Sequence, residues 1–226
     1  MAGRACAVYR SVMAHWALDV LWNLFLAVIA VGLAHVLARA IRGSWPRAWI
    51  TLVAVVWVLM LPNTCYLFTE VRHLFEAIEE HEIWSRALRS SHARVGLTLH
   101  GFVVAIYGGV GALTFGLAIR PVREAVEARG IRTRAWMLPF FTLVALGVYL
   151  GLVQRLNSWD VLTRPERVLV NALDAVRAPR RMLAVALGGV ALWTIYEIVD
   201  VWIDGARLRM GISPPRRAPS DARARA

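Results

Sequence analysis

Residues 49–68 read WITLVAVVWVLMLPNTCYLF, a run of apolar residues without one charged side chain. A helix that rises about 1.5 Å per residue needs about 20 residues to cross about 30 Å of hydrocarbon. Four other stretches approach this length, at 18–38, 95–119, 136–153 and 183–203. Because a helix satisfies its own backbone hydrogen bonds in lipid, the sequence predicts an all-α, polytopic membrane bundle of about five transmembrane helices.

The composition excludes ordinary soluble domains, since 58% of the residues are hydrophobic and the chain contains 10 Trp. The net charge of +11 comes from Arg alone, because the sequence contains no Lys. These arginines cluster beside the apolar stretches, as at Arg39, Arg42 and Arg47 and between Arg120 and Arg134. This pattern favours membrane lipids with anionic headgroups as partners and argues against nucleic acid.

The chain divides into an N-terminal tail (1–17), one transmembrane domain (18–204) and a basic tail (205–226) whose Pro, Arg and Ala content predicts disorder. Two connectors, 69–94 and 154–182, each contain apolar residues at helical spacing, which predicts amphipathic helices at the membrane interface. The arginines divide almost evenly between the two sides of the bundle, so the positive-inside rule does not fix its orientation.

Small residues at four-residue intervals predict close contacts between helices. Gly147 and Gly151 form one such pair, and Gly108, Ala112 and Gly116 form a longer stripe. Gly130, in the Arg-rich connector 120–135, predicts a turn.

Five antiparallel spans bring polar residues from distant parts of the chain to one membrane face. Polar groups at this depth are costly and usually have a role in structure or chemistry. Asn63, Tyr66, Glu70 and His73 follow 3-4-3 spacing, which places them along one side of a helix. The predicted face carries Asn23, Asn63, Tyr66, Glu70, His73, His100, Asn157, Trp159 and Asp160.

Carboxylates, imidazoles and amides gathered at one end of a bundle suit acid–base chemistry, a divalent metal or a polar lipid headgroup. Glu70, His73 and Asp160 are the candidate catalytic residues and the candidate ligands of a divalent metal. The candidate substrate-binding residues are Asn23, Asn63, Tyr66, His100, Asn157 and Trp159.

Each of these groups also has a structural interpretation. Asn63 is placed to hydrogen-bond the backbone that Pro62 frees, because proline lacks an N–H. Asn157 or Ser158 in the NSWD sequence is placed to cap a helix. A second carboxylate group, Glu197, Asp200 and Asp204, follows spacing of three and four near the other end of the last helix; for this group we favour the structural interpretation.

Three strings together carry a resemblance: WNLFLA at 22–27, LPNTCYLFTEVRHL at 61–74 and RLNSWDVL at 155–162. They resemble a bacterial family of predicted integral membrane proteins, domain of unknown function 1361, which implies a place in the bacterial cytoplasmic membrane. The chain departs from that pattern at Thr64-Cys65, where Ala-Pro is usual, and at Glu70, where Asp is usual. The matching positions are Trp22, Asn23, Pro62, Asn63, Tyr66, Thr69, His73, Asn157, Ser158, Trp159 and Asp160.

The resemblance implies no established activity, and three functions stay open. The first is a membrane-embedded enzyme that acts on a lipid or lipid-linked substrate. The second is a module that binds or transports a solute or lipid. The third is a structural subunit of a membrane complex.

Overall fold

The computed structural model describes the backbone of residues 2–69 and 90–212, and the side chains from Leu21 onward except at positions 68, 69, 92, 93 and 100. Within this part the secondary structure is helical, without strands. The helices are α1 (Ala2–Arg42), α2 (Arg47–Thr69), α3 (Ser91–Glu127), α4 (Arg134–Leu152), α5 (Asp160–Thr163), α6 (Pro165–Arg177) and α7 (Pro179–Arg209).

Five of the described helices are long and apolar enough to cross a membrane, which confirms the predicted fold class. The chain is therefore a multi-pass membrane protein. The candidate spans are Leu21–Arg42, Arg47–Leu67, Arg94–Glu127, Arg134–Leu152 and Pro179–Arg209.

The five long helices share one core. Helix α1 packs on α2 and α3, α2 also contacts α3 and α4, and α7 packs on α4 and α3. Each long helix contributes at least one side chain with no more than 1% of its surface exposed: Leu37, Leu61, Phe115, Phe141 and Tyr196. The centre of the bundle is therefore mainly apolar.

We name the two ends by a residue at each. The Arg42 end contains the ends of α1, α3 and α7 and the starts of α2 and α4; the Asn63 end contains the opposite ends of these helices. Exposed tryptophans occur at both, as expected at membrane–water interfaces. They are Trp45, Trp49, Trp136 and Trp202 at the Arg42 end and Trp22 and Trp159 at the Asn63 end.

The close contact predicted at Gly147 and Gly151 is present, and the structure identifies α2 as the helix that packs there against α4. A methyl group added at Gly147 would approach Cγ of Pro62 to 2.6 Å, and one added at Gly151 would overlap the hydroxyl of Tyr66. The GxxxG pair therefore provides the space in which the polar end of α2 packs on α4.

Helix α7 makes two similar contacts. A methyl group at Gly189 would lie 2.8 Å from Cα of Thr142 in α4, so the two backbones approach closely there. A methyl group at Gly116 in α3 would overlap the side chain of Val199 in α7, which confirms a contact at the C-terminal end of the predicted stripe.

Helix α3 extends further than the sequence predicts. Its apolar run ends at residue 119, but the helix continues to Glu127 and the turn that follows contains Gly130, with φ of 79°. The Arg-rich connector is therefore shorter than the predicted range 120–135.

Helix α6 corresponds to the predicted amphipathic helix of the fourth connector. Leu169, Val170, Leu173 and Val176 are exposed along it, and its other positions include charged residues. An exposed apolar stripe suits the membrane interface. The other predicted amphipathic segment, 69–94, falls mostly outside the described residues.

Candidate functional site

Asn63 is the polar centre of the Asn63 end. It follows Pro62 inside α2 and exposes only 5% of its surface. Its side-chain amide donates to the carbonyl of Met60 at 3.1 Å and to Oγ of Ser158 at 3.1 Å. The carbonyl that Pro62 leaves without its helical donor is that of Val58, four residues earlier, so the bond from Asn63 to Met60 is close to the expected one but not identical with it. The second bond links α2 to a residue 95 positions away.

Ser158 completes this link. Its hydroxyl accepts the bond from Asn63 and donates to the carbonyl of Leu59 at 2.8 Å. Since Pro62 has no N–H and its ring disturbs the preceding helical turn, additional donors to nearby carbonyls stabilise this part of α2. We call these bonds the Asn63–Ser158 junction. It holds the NSWD sequence against the LPNTCY sequence. This agrees with the prediction that five antiparallel spans bring these two sequences to the same membrane face.

Asp160 fixes the conformation of NSWD. Its carboxylate accepts from the backbone N–H of Asn157 at 2.6 Å, and its own N–H donates to the carbonyl of Asn157 at 2.9 Å. Helix α5 begins at Asp160 with Trp159 in the capping position. The prediction that Asn157 or Ser158 caps the helix is wrong, because the Ser158 hydroxyl is bonded to α2 and the reciprocal bonds with Asp160 close the turn.

The remaining described residues of the predicted site lie at the same end of the bundle as this junction. Tyr66 packs its hydroxyl against Gly151 of α4. Asn23 is half-buried near the start of the span in α1. Asn157 is exposed, and Trp159 exposes 45% of its surface. The junction thus joins the buried Asn63 to the partly buried Ser158, and the amide of Asn157 and the indole of Trp159 are exposed beside it.

The side chains of three residues of the predicted site are not among those that the structure describes. Glu70 and His73 lie outside the described residues, and His100 lies in α3 with its side chain outside the described set. Of the three candidate metal ligands only Asp160 is described. In the described ranges 2–69 and 90–212 there is no group of three His, Cys, Asp or Glu residues suited to a metal.

A family model described as a protein of unknown function, DUF1361, matches residues 22–195. The chain belongs to the DUF1361 family. The match begins at Trp22 and includes the junction. Comparison with curated proteins and with solved structures gave no match.

This DUF1361 protein has a second polar cluster, at the Arg42 end, that the sequence analysis did not assign to a site. Arg120 in α3 is 4% exposed, and its guanidinium donates to Asp200 of α7 at 2.9 Å and to Glu124 at 2.7 Å. It also bonds Asp204. Arg123 donates to the other carboxylate oxygen of Asp200 at 2.8 Å. We call this cluster the Arg120–Asp200 network.

The network explains why α3 extends beyond its apolar run. Arg120 and Arg123 were expected among the lipid headgroups, but both are turned towards α7, and Arg123 also lies 5.2 Å above the ring of Tyr196. Arg120 is neutralised by acids on two helices, so it is tolerated near the hydrocarbon. The pairing of Asp200 and Asp204 with arginines of α3 agrees with the structural interpretation of these two residues.

The third member of that carboxylate group behaves differently. Glu197 is exposed, and its carboxylate accepts from the indole N–H of Trp193 at 2.9 Å on the same helix. A sequence signal for the network does exist: Arg120 and Glu124 are four residues apart in one helix, as are Asp200 and Asp204 in a helix that ends on the same side.

Proposed function

We propose that this membrane protein binds the polar headgroup of a lipid or lipid-linked molecule at its Asn63 end, in the cytoplasmic membrane of a bacterium. The hydrogen bond between Asn63 and Ser158 carries the proposal, because it joins two polar motifs from distant parts of the chain. A polar surface fixed at the end of a transmembrane bundle is accessible to headgroups of the adjoining leaflet.

The polar residues of the Asn63 end have two roles: a frame that holds the local structure, and a contact surface that is exposed to a ligand. Asn63 and Ser158 use their polar atoms on each other and on the α2 backbone, so they form the frame. Asn157 and Trp159 are exposed beside it. The amide of Asn157 offers a donor and an acceptor, and the indole of Trp159 suits the interface between headgroup and acyl chain. We assign contact with the substrate to Asn157 and Trp159. The other candidate substrate-binding residues, Asn23, Tyr66 and His100, belong to the same end of the bundle.

A second candidate function is an enzyme that acts on the bound headgroup. The observation that favours it is the fixed position of Asp160, where one carboxylate oxygen bonds Asn157 and no other described residue bonds the second oxygen. In the sequence Glu70 comes directly after Thr69, the last described residue of the helix that carries Asn63. Glu70, His73 and Asp160 would supply general acid–base groups or the ligands of a divalent metal.

Lipid mass spectrometry of detergent-purified protein tests the binding proposal. We expect a defined lipid or lipid-linked species to copurify with the wild type and to be lost from the Asn157→Ala/Trp159→Ala double variant. Trp136→Ala is the matched control, because Trp136 is exposed at the opposite end of the bundle. Equal lipid content in all three proteins would contradict the proposal.

The Asp160→Asn variant separates binding from catalysis. The amide oxygen of Asn keeps an acceptor for the Asn157 N–H, so the turn is retained while the charge is lost. If the protein is an enzyme, this variant retains the copurified lipid, loses its conversion to product and, for a metal enzyme, loses metal measured by elemental analysis. A variant identical to wild type in all three measurements leaves binding as the function.

A further inference from the structure

A cleft of about 580 Å³ opens at the Arg42 end, between α1, α3 and α7. Its volume lies within the range of about 300–1,000 Å³ that is usual for ligand sites. Four charged residues line it, together with a histidine and three small or apolar residues. The lining residues are His35, Ala38, Arg39, Arg42, Gly43, Pro121, Glu124 and Arg207.

Helix α1 supplies one basic wall of the cleft. His35, Arg39 and Arg42 follow spacing of four and three, which places them on one face of the helix. His35 is held by a 2.9 Å hydrogen bond between Nδ1 and the carbonyl of Val31. No carboxylate in the described part of the chain pairs with Arg39 or Arg42.

The acid in the cleft is already neutralised. One carboxylate oxygen of Glu124 accepts from Nε of Arg120 at 2.7 Å and lies 3.5 Å from a guanidinium nitrogen of Arg207. Three guanidinium groups and one carboxylate line the cleft, so its formal charge is +2 with His35 neutral. A concave surface with two unpaired guanidinium groups favours an anion.

The depth of the cleft identifies the source of that anion. Arg42 lies three residues before the exposed Trp45, and Arg207 lies five residues after the exposed Trp202. Exposed tryptophans mark the level of lipid headgroups. The cleft is therefore at headgroup depth, where Arg can make bidentate bonds to a phosphate.

We infer that the cleft between α1, α3 and α7 is a binding site for the phosphate of an anionic lipid headgroup, with Arg39 and Arg42 as its principal ligands. The site lies at the opposite end of the bundle from the Asn63–Ser158 junction and does not depend on the function proposed for that end. Basic pockets between transmembrane helices bind anionic headgroups by the same chemistry.

The test uses the full chain in a zwitterionic detergent, with phosphatidylglycerol as the probe and native mass spectrometry as the measurement. We expect the Arg39→Gln/Arg42→Gln double variant to bind phosphatidylglycerol about 25-fold more weakly than wild type, at roughly fivefold for each guanidinium group. Phosphatidylcholine binding should not change.

The Arg132→Gln/Arg134→Gln double variant is the matched control. Both residues are exposed at the same end of the bundle but outside the cleft, so the variant removes the same charge from the same membrane face. It should bind phosphatidylglycerol nearly as well as wild type. Equal weakening in both double variants would show diffuse attraction and overturn the proposal, as would no weakening in either.

Inorganic phosphate distinguishes the two sources of the anion. If the ligand is a lipid, inorganic phosphate displaces phosphatidylglycerol only at much higher concentration. If inorganic phosphate binds as tightly as the lipid and loses its affinity in Arg39→Gln/Arg42→Gln, the phosphate site stands and a soluble phosphate compound is its ligand. Thermal unfolding without added anion should be the same in both double variants; a loss of stability confined to Arg39→Gln/Arg42→Gln would indicate a structural role and overturn the proposal.

Discussion

Replacing Asp200 by Asn tests whether the Arg120–Asp200 network stabilises the contact between α3 and α7. Asp200 is 3% exposed and accepts from Arg120 at 2.9 Å and from Arg123 at 2.8 Å. Removing one partner of a buried ion pair typically costs about 3–5 kcal/mol. Arg120 retains Asp204 and Glu124 in this variant, so we expect a loss of about 2–3 kcal/mol in the free energy of unfolding.

A double-mutant cycle with Arg123→Gln sharpens this prediction. Asp200 is the close partner of Arg123, since the other acid near it, Glu127, lies at 3.7 Å. The cost of Arg123→Gln should therefore be about 1–2 kcal/mol smaller in the Asp200→Asn background than in wild type. Reversible unfolding in mixed detergent micelles, followed by tryptophan fluorescence, measures all four proteins.

Glu197→Gln is the control for this cycle. Glu197 lies on the same helix but is exposed, and it bonds only Trp193 among the described residues. Its loss should change the free energy of unfolding by no more than about 0.5 kcal/mol. If Asp200→Asn is equally mild, or if its cost and that of Arg123→Gln simply add, the network does not stabilise the contact.

Two further predictions concern the centre of the bundle and use the same unfolding measurement. Gly189→Ala should cost about 1–3 kcal/mol, because the new methyl group would lie 2.8 Å from the backbone of Thr142. Gly205→Ala, whose methyl group would meet no atom within 4 Å beyond its own stretch of helix, should be neutral or stabilise by up to about 1 kcal/mol, and equal stability of the two variants would contradict the close contact. Trp57→Phe should cost about 0.5–1.5 kcal/mol, since the 2.8 Å bond to the carbonyl of Ala118 is lost while that carbonyl keeps its helical partner in α3. Wild-type stability in this variant would show that the bond contributes little.

The fold class follows from hydropathy because the bilayer allows few alternatives. A long apolar segment must form a helix there, and five such segments fix which helix ends lie at the same side. The alternating direction of the five helices alone predicts that Asn63 in α2 and the NSWD sequence after α4 lie at the same end of the bundle. The hydrogen bond to Ser158 confirms this, although it depends on the fold of a short loop, which no sequence pattern specifies.

The positions of the helix ends and the partners of the charged residues were harder to predict from the sequence than the fold class. Hydropathy ends the third span at residue 119, because Arg120 and the charges after it are unfavourable when each is considered alone. In the bundle, Arg120 has acids on its own helix and on α7, so the charged segment remains helical and packed. A residue-by-residue scale cannot detect this, since the neutralising partner is 80 positions away.

The polar groups at the two ends of the bundle are satisfied by different kinds of bond, and this difference bears on function. At the Asn63 end, neutral groups of Asn63 and Ser158 satisfy carbonyls near Pro62. Such bonds between neutral groups contribute about 0.5–1.5 kcal/mol each. At the Arg42 end, breaking the pairing of Arg120 and Asp200 would leave charges in a poorly hydrated position, which is far more costly. The network therefore suits a fixed connection between α3 and α7, while the junction suits a frame that holds the NSWD sequence beside α2 and leaves Asn157 and Trp159 exposed for the proposed headgroup contact.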